Sequence, residues 1–170
     1  PGYLTPKPPL RERRGGLPAI LFDLDGVIVD SRAHHMAAWE AWGRIHAPQA
    51  DAEYWHRSFG LRNDAIIGAL MPGIDGAAMQ RLADEKERLF RGRARGNIVA
   101  LPGVMALIDA LDARGVPRAV VTSTPRENLD MILDAIGLTG RFGALVAAED
   151  TTHGKPHPEG FLLGASRLGE

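Results

Sequence analysis

The sequence predicts an α/β fold: a doubly wound parallel-sheet core carrying an inserted α-helical subdomain. Three observations predict it. Short apolar runs at Ala19–Phe22, Arg118–Val121 and Ala144–Ala148 each lead into a polar turn, the pattern of buried parallel strands. Amphipathic helical stripes lie between the runs, as crossover connections require. Residues 51–95 read as helix in several pieces without a strand signal, so they look like an insertion between two strands.

Length and composition set bounds. A chain of 170 residues holds one domain, or a core with an inserted subdomain. A net charge of −1 argues against nucleic acid or an anionic membrane as the main partner and leaves a small ligand. There is no cysteine, which excludes disulfides, thiolate catalysis and zinc-thiolate sites. No run approaches a membrane span and the first residues contain no apolar signal core, so a soluble cytoplasmic protein is expected.

Residues 1–16, with four prolines and three glycines among basic residues, are expected to form a disordered tail or to be a start-site artefact. The first strand then runs into Asp23-Leu24-Asp25-Gly26. Strand side chains alternate, so the two aspartates leave on the same side at the carboxyl end of the strand, where open α/β sheets bind ligands. One ionised aspartate can attack an electrophile covalently, and the other can give a proton to the leaving group and take one from water. Their mutual repulsion calls for a cation, and a hard one such as Mg²⁺ suits oxygen ligands. Gly26 permits the turn that follows.

Ser31 is placed to cap a helix over Arg32–Ile45 that carries Trp39 and Trp42. His35 lies one turn before Trp39, where a lone histidine is ordinarily a packed or exposed residue. Further on, Ile66, Ile67 and Leu70 form one helical stripe, and Met79, Leu82, Lys86 and Leu89 another. The run Glu85-Lys86-Glu87-Arg88 reads as a solvated face. Leu101-Pro102-Gly103 marks the return to the core, followed by a helix burying Val104, Leu107, Ile108 and Leu111 and closed by Arg114-Gly115.

After the second strand come Thr122-Ser123-Thr124-Pro125-Arg126-Glu127. Thr124 is expected as N-cap, Pro125 as first helical residue and Glu127 as partner in a capping box. Leu129, Ile132, Leu133 and Ile136 form the buried stripe, and Gly137 the stop. A hydroxyl-rich turn at a helix start is an anion site, or it merely caps. After the third strand, Lys155 sits on a loop constrained by Gly154 and Pro156, where its ammonium can offset charge on a nucleophile and a phosphate. His153 and His157 are read as loop histidines.

Asp23-Leu24-Asp25-Gly26-Val27-Ile28-Val29-Asp30-Ser31 resembles the first motif of the haloacid dehalogenase superfamily, in its phosphatase and phosphomutase branch with an α-helical cap, the beta-phosphoglucomutase-like group. Val120-Val121-Thr122-Ser123 resembles the second motif, and Gly154-Lys155-Pro156-His157-Pro158 the third, in the right order. The resemblance implies a Rossmann-like core over residues 17–32 and 98–170 with a cap over 33–97. It implies that Asp23 becomes a phosphoaspartate and Asp25 acts as general acid and base. Mg²⁺ would bridge Asp23, the backbone carbonyl of Asp25 and the phosphate. Thr122 would bind the phosphoryl group, with Ser123 the close alternative, and Lys155 would hold its charge. His35 would face the substrate from the first cap helix. Phe59–Asp64 resembles the cap loop facing the site, with Arg62 either a substrate contact or a surface arginine.

The function implied is a Mg²⁺-dependent phosphatase acting on a small phosphorylated metabolite. The alternatives are a sugar-phosphate mutase using the same residues, or a non-catalytic phosphate-binding module. The family's fourth motif, an acidic metal-binding pair, is expected beyond the helix near Phe161–Leu168, and the sequence reaches Glu170 without it. The expectations are a core incomplete at its C-terminal side, weak Mg²⁺ capture, and an uncovered first strand through which the chain can self-associate.

Overall fold

The structure, a computed structural model, describes residues 18–170. The expected tail at 1–16 lies outside the described residues. Three short parallel strands, β1 (Ile20–Phe22), β2 (Arg118–Val121) and β3 (Ala144–Val146), pair in the order β1-β2-β3. Leu21 lies opposite Ala119, and Val120 opposite Leu145. β2 is buried along its whole length, whereas β1, at the sheet edge among the described strands, is half-buried. That difference follows from position, since a central strand has neighbours on both sides and an edge strand on one.

Strand alternation distributes the helices over two faces. Val120 points into an apolar cluster with Val104, Ile108 and Leu111 of α5 (Val104–Ala113) and Leu129, Ile132 and Leu133 of α6 (Arg126–Ala135). Val121 points the other way, against Gly160 and Gly164 of α7 (Glu159–Arg167). Helices therefore cover both faces, the doubly wound arrangement that the apolar strands imply. Leu107, expected in the α5 stripe, is exposed instead, so the buried face of α5 is narrower than its periodicity suggests.

Between β1 and α5 the chain builds four helices: α1 (Arg32–His46), α2 (Ala52–Arg57), α3 (Asn63–Leu70) and α4 (Gly76–Ala94). They enclose their own cluster of Met36, Trp39, Trp42, Trp55, Ile66 and Ile67. Trp39 and Trp55 stack with centroids 5.4 Å apart, and the Trp42 indole donates to the Leu82 carbonyl at 3.1 Å. Each such aromatic pair adds about 0.5–1.5 kcal/mol beyond its buried area. Asp51 and Asp75 cap α2 and α4 by accepting from Tyr54 N and Ala78 N. The chain leaves and re-enters the core through adjacent segments, with Asp30 N bonded to Val99 O and Leu101 N to Ile28 O.

Candidate active site

Asp23 and Asp25 follow β1 directly, and Gly26, at φ 77°, takes the left-handed turn that a side chain would strain. Their surroundings differ. Asp23 is at the rim, its side chain 36% exposed, with Oδ1 accepting from Leu24 N and lying 2.7 Å from Lys155 Nζ. Its Oδ2 accepts no hydrogen bond among the described residues. Lys155 also donates to the Val121 carbonyl at the end of β2, 3.2 Å away, and lies over the Phe161 ring.

The Asp25 carboxylate is deeper and surrounded by donors. Oδ1 accepts from Ser31 Oγ at 2.5 Å and faces His35 Nε2 at 3.4 Å; Oδ2 accepts from Thr124 Oγ1 at 2.6 Å and, more weakly, from Thr122 Oγ1 at 3.4 Å. Burial alone would raise the Asp25 carboxyl. The His35 ring and the Ser31 and Thr124 hydroxyls outweigh it and hold the group well below the usual carboxylate range.

These contacts correct the local expectations for Ser31, Thr124, Pro125 and Glu127. The Ser31 side chain does not cap α1: its hydroxyl is turned to donate to Asp25, and its oxygen accepts from no amide of the helix start. Thr124 is not the N-cap of α6, which starts at Arg126 with Pro125 in that position; the Thr124 hydroxyl points to Asp25, and Glu127 forms no capping box but pairs with Arg91. The first amide of α6, Arg126 N, is already taken by the Glu149 carboxylate at 3.0 Å, so the protein supplies its own anion to that helix start.

The largest departure lies in α4. Lys86 and Glu87, expected on a solvated face, are buried at 2% and 5% side-chain exposure. Lys86 Nζ is 2.8 Å from Glu87 Oε1 and 3.0 Å from His35 Nδ1, between the rings of Trp39 and Phe90. Glu87 also accepts from Asn63 and, across the boundary between the two clusters, from Asn128 of α6, which in turn accepts from Arg91. An ammonium can only donate, so His35 Nδ1 accepts and Nε2 carries the hydrogen facing Asp25. The one sequence signal was spacing: Lys86 stands on the Met79-Leu82-Lys86-Leu89 stripe.

Burial and the neighbouring Lys86 charge push the His35 imidazole below its ordinary 6.5, though Asp25 and Glu87 pull the other way. The sign follows from linkage. A group whose folded pKa is depressed contributes stability that is complete above its unfolded value and lost as pH falls toward the folded one. Glu87 is also lowered from 4.5, burial being outweighed by Lys86, and acts in the same direction at lower pH. Urea midpoints are therefore expected to fall as pH drops below 6.5. A His35→Gln variant should lose this upper limb and keep the carboxylate limb. A wild-type midpoint that is flat from neutrality down to the carboxylate range would contradict the assignment.

Arg62 faces the core without reaching Asp23 or Asp25 by hydrogen bond. Its Nη1 donates to the carbonyls of Ala148 and Thr151 at 3.0 and 2.7 Å, so it fastens the start of α3 to the loop before Lys155. Gly154 makes this possible, since a Cβ there would meet Arg62 Cδ at 2.6 Å. Ser123 lines both a cavity of about 30 Å³ that it shares with Asp25, His35 and Lys86, and a polar cleft of about 460 Å³ between α3, α4 and the turn after β2.

The architecture is an α/β core that gathers carboxylates, hydroxyls and Lys155 at the carboxyl ends of its strands, under a helical cap. Residues 17–170 match the family model "Hydrolase: haloacid dehalogenase-like hydrolase", and the chain belongs to that family. It is 35% identical over 153 residues to Hexitol phosphatase A of Escherichia coli, spanning 88% of this chain and 68% of that protein. It is 30% identical over 152 residues to a phosphoglycolate phosphatase of Xylella fastidiosa, spanning 88% of this chain and 66% of that one. Among solved structures, a hydrolase from Pseudomonas syringae superposes with TM-score 0.81 at 26% identity over 90% of this chain and 71% of that one. A beta-phosphoglucomutase from Clostridium difficile does so with TM-score 0.77 at 24% identity over 89% and 70%, a likeness of fold. The chain thus spans about two thirds of the length of these phosphatases. Among the described residues no helix is long and apolar enough to cross a membrane.

Proposed function

We propose that the protein is a Mg²⁺-dependent phosphatase acting through a phosphoaspartate at Asp23 on a small phosphorylated metabolite. The observation that carries the reading is the pairing of Lys155 with Asp23 at 2.7 Å, next to a second carboxylate held separately by hydroxyl donors. Two like residues in unlike environments suit two roles. Asp23, partly exposed and with one oxygen uncommitted, attacks phosphorus as the bond to the leaving oxygen breaks. Asp25, ionised at rest, takes up a proton from solvent when a phosphate dianion lies beside it and gives it to the leaving oxygen. It then takes a proton from the water that attacks the phosphoaspartate, breaking the bond to Asp23 and freeing phosphate. Thr122 and Ser123 offer donors to the phosphoryl oxygens, and Lys155 offsets their charge.

The donors available for Mg²⁺ are Asp23 Oδ2 and the main-chain carbonyl of Asp25; the Asp25 carboxylate is engaged by Ser31, Thr124 and His35. This oxygen set fits an ion that keeps several waters. When bound, Mg²⁺ would neutralise phosphate charge.

The polar cleft beside the site, lined by Asn63, Asp84, Arg88 and Arg91 among others, suits a hydroxyl-rich leaving group. The similarity to a hexitol phosphatase makes sugar-alcohol phosphates the first substrates to try. A panel of phosphate esters, scored for free phosphate against isomerised sugar, tests hydrolysis; isomer without phosphate release would replace it with the mutase reading. Lys155→Ala is expected to lower kcat/KM by about 10²–10³-fold, the scale of losing one preorganised charge-stabilising donor, with Lys155→Arg retaining part of it. Steady-state rates within threefold of wild type for Lys155→Ala would remove Lys155 from the chemistry.

A further inference from the structure

The loop that carries Lys155 holds a second cluster that the phosphatase reading does not use. His153, His157 and Glu159 each present one donor atom, all within 4.8 Å of one another. His153 Nδ1 lies 2.8 Å and His157 Nδ1 3.8 Å from the same oxygen, Glu159 Oε2. Two donors about 2.1 Å from a tetrahedral ion stand about 3.4 Å apart, so these separations bracket the spacing a small ion needs. The two rings are already side by side, with centroids 4.6 Å apart and planes inclined at 36°.

The cluster is anchored from below and open above. Glu159, in the first turn of α7, is fixed by the amides of Thr152 and His153 at 2.8 and 2.9 Å, and those hydrogen bonds lower its carboxyl to about 2. The loop is closed by His157 N bonding to Gly154 O at 3.0 Å. Both rings remain more than half exposed, at 64% and 52%, which leaves room for an ion to enter and keep a water as its fourth ligand.

We propose that His153, His157 and Glu159 form a binding site for a borderline divalent transition metal, of the Zn²⁺ or Ni²⁺ class, distinct from the Mg²⁺ position at Asp23. Two imidazoles and one carboxylate suit those ions, whereas Mg²⁺ prefers an all-oxygen shell. The site has a consequence for the loop. Lys155 lies between the two histidines in sequence, so a bound ion ties the segment that presents it to the start of α7.

The test is calorimetric titration of the protein with Zn²⁺ in excess Mg²⁺, which occupies the oxygen site. One equivalent is expected to bind. His153→Ala and His157→Ala should each weaken it at least tenfold, and the double variant should abolish it. In a separate readout, Co²⁺ should broaden the ring-proton NMR signals of two histidines in wild type and of none in the double variant. Both rings are exposed, so these variants are expected to retain the wild-type circular dichroism spectrum. No Zn²⁺ uptake, or equal uptake by wild type and the double variant, overturns the proposal. Neither outcome depends on phosphatase activity, so the two proposals stand or fall separately.

Discussion

Replacing Asp23 by Asn is expected to abolish phosphate release from every ester the protein turns over, a fall of about 10⁴-fold or more in kcat, the scale on which covalent enzymes lose rate with their nucleophile. Asn keeps the volume and removes the attacking charge. The change is also informative about folding, because Asp23 is a partly exposed residue whose ion pair with Lys155 is itself partly exposed. Such pairs contribute about 0–1 kcal/mol, so stability should barely move. Asp25→Asn is a poorer test of the same chemistry. An amide there would turn an NH₂ group toward one set of hydroxyl donors at Ser31 or at Thr122 and Thr124, and lost activity would be mixed with lost packing. The measurement is steady-state phosphate release, together with beryllium fluoride binding, which mimics a phosphoaspartate. Asp23→Asn retaining turnover within tenfold, or trapping beryllium fluoride as wild type does, would rule out the covalent route at this residue.

The parts of this site that sequence conveys are those set by local order. An apolar run followed by Asp-Leu-Asp-Gly places two carboxylates at a strand end whatever else the chain does, and β2 and β3 announce themselves in the same way. The parts it does not convey depend on which partner a polar group finds. Ser31 and Thr124 have the spacing of helix caps, yet both hydroxyls are aimed at Asp25, where each makes a charge-assisted bond to a buried carboxylate that only the tertiary fold brings within reach. Lys86 and Glu87 look like surface charges because a charged pair on a helix reads the same whether it faces water or Asn128. Arg62 was legible as a loop arginine near the site, but its commitment to the carbonyls of Ala148 and Thr151 depends on a tertiary approach across Gly154.

Lys86→Met is expected to cost about 3–5 kcal/mol of stability, because removing one partner of a buried pair leaves the other charge uncompensated. Glu87 would keep its hydrogen bonds from Asn63 and Asn128, which satisfy its oxygens without neutralising them. A double variant, Lys86→Met with Glu87→Gln, removes both charges and should recover a substantial part of that loss, since the amide can still accept from either asparagine. The effect reaches beyond α4. Lys86 Nζ fixes the His35 tautomer from one side, and Glu87 fastens α4 to α6 from the other, so the same substitution loosens the ring facing Asp25 and the seam between the helical cap and the core. Hydrogen exchange at α4 and the first turn of α6 should therefore accelerate more than at α5, which shares no bond with the pair. Urea denaturation gives the first quantity: a Lys86→Met loss below about 1 kcal/mol, or a double variant less stable than the single, would show that the buried charges do not hold the cap to the core.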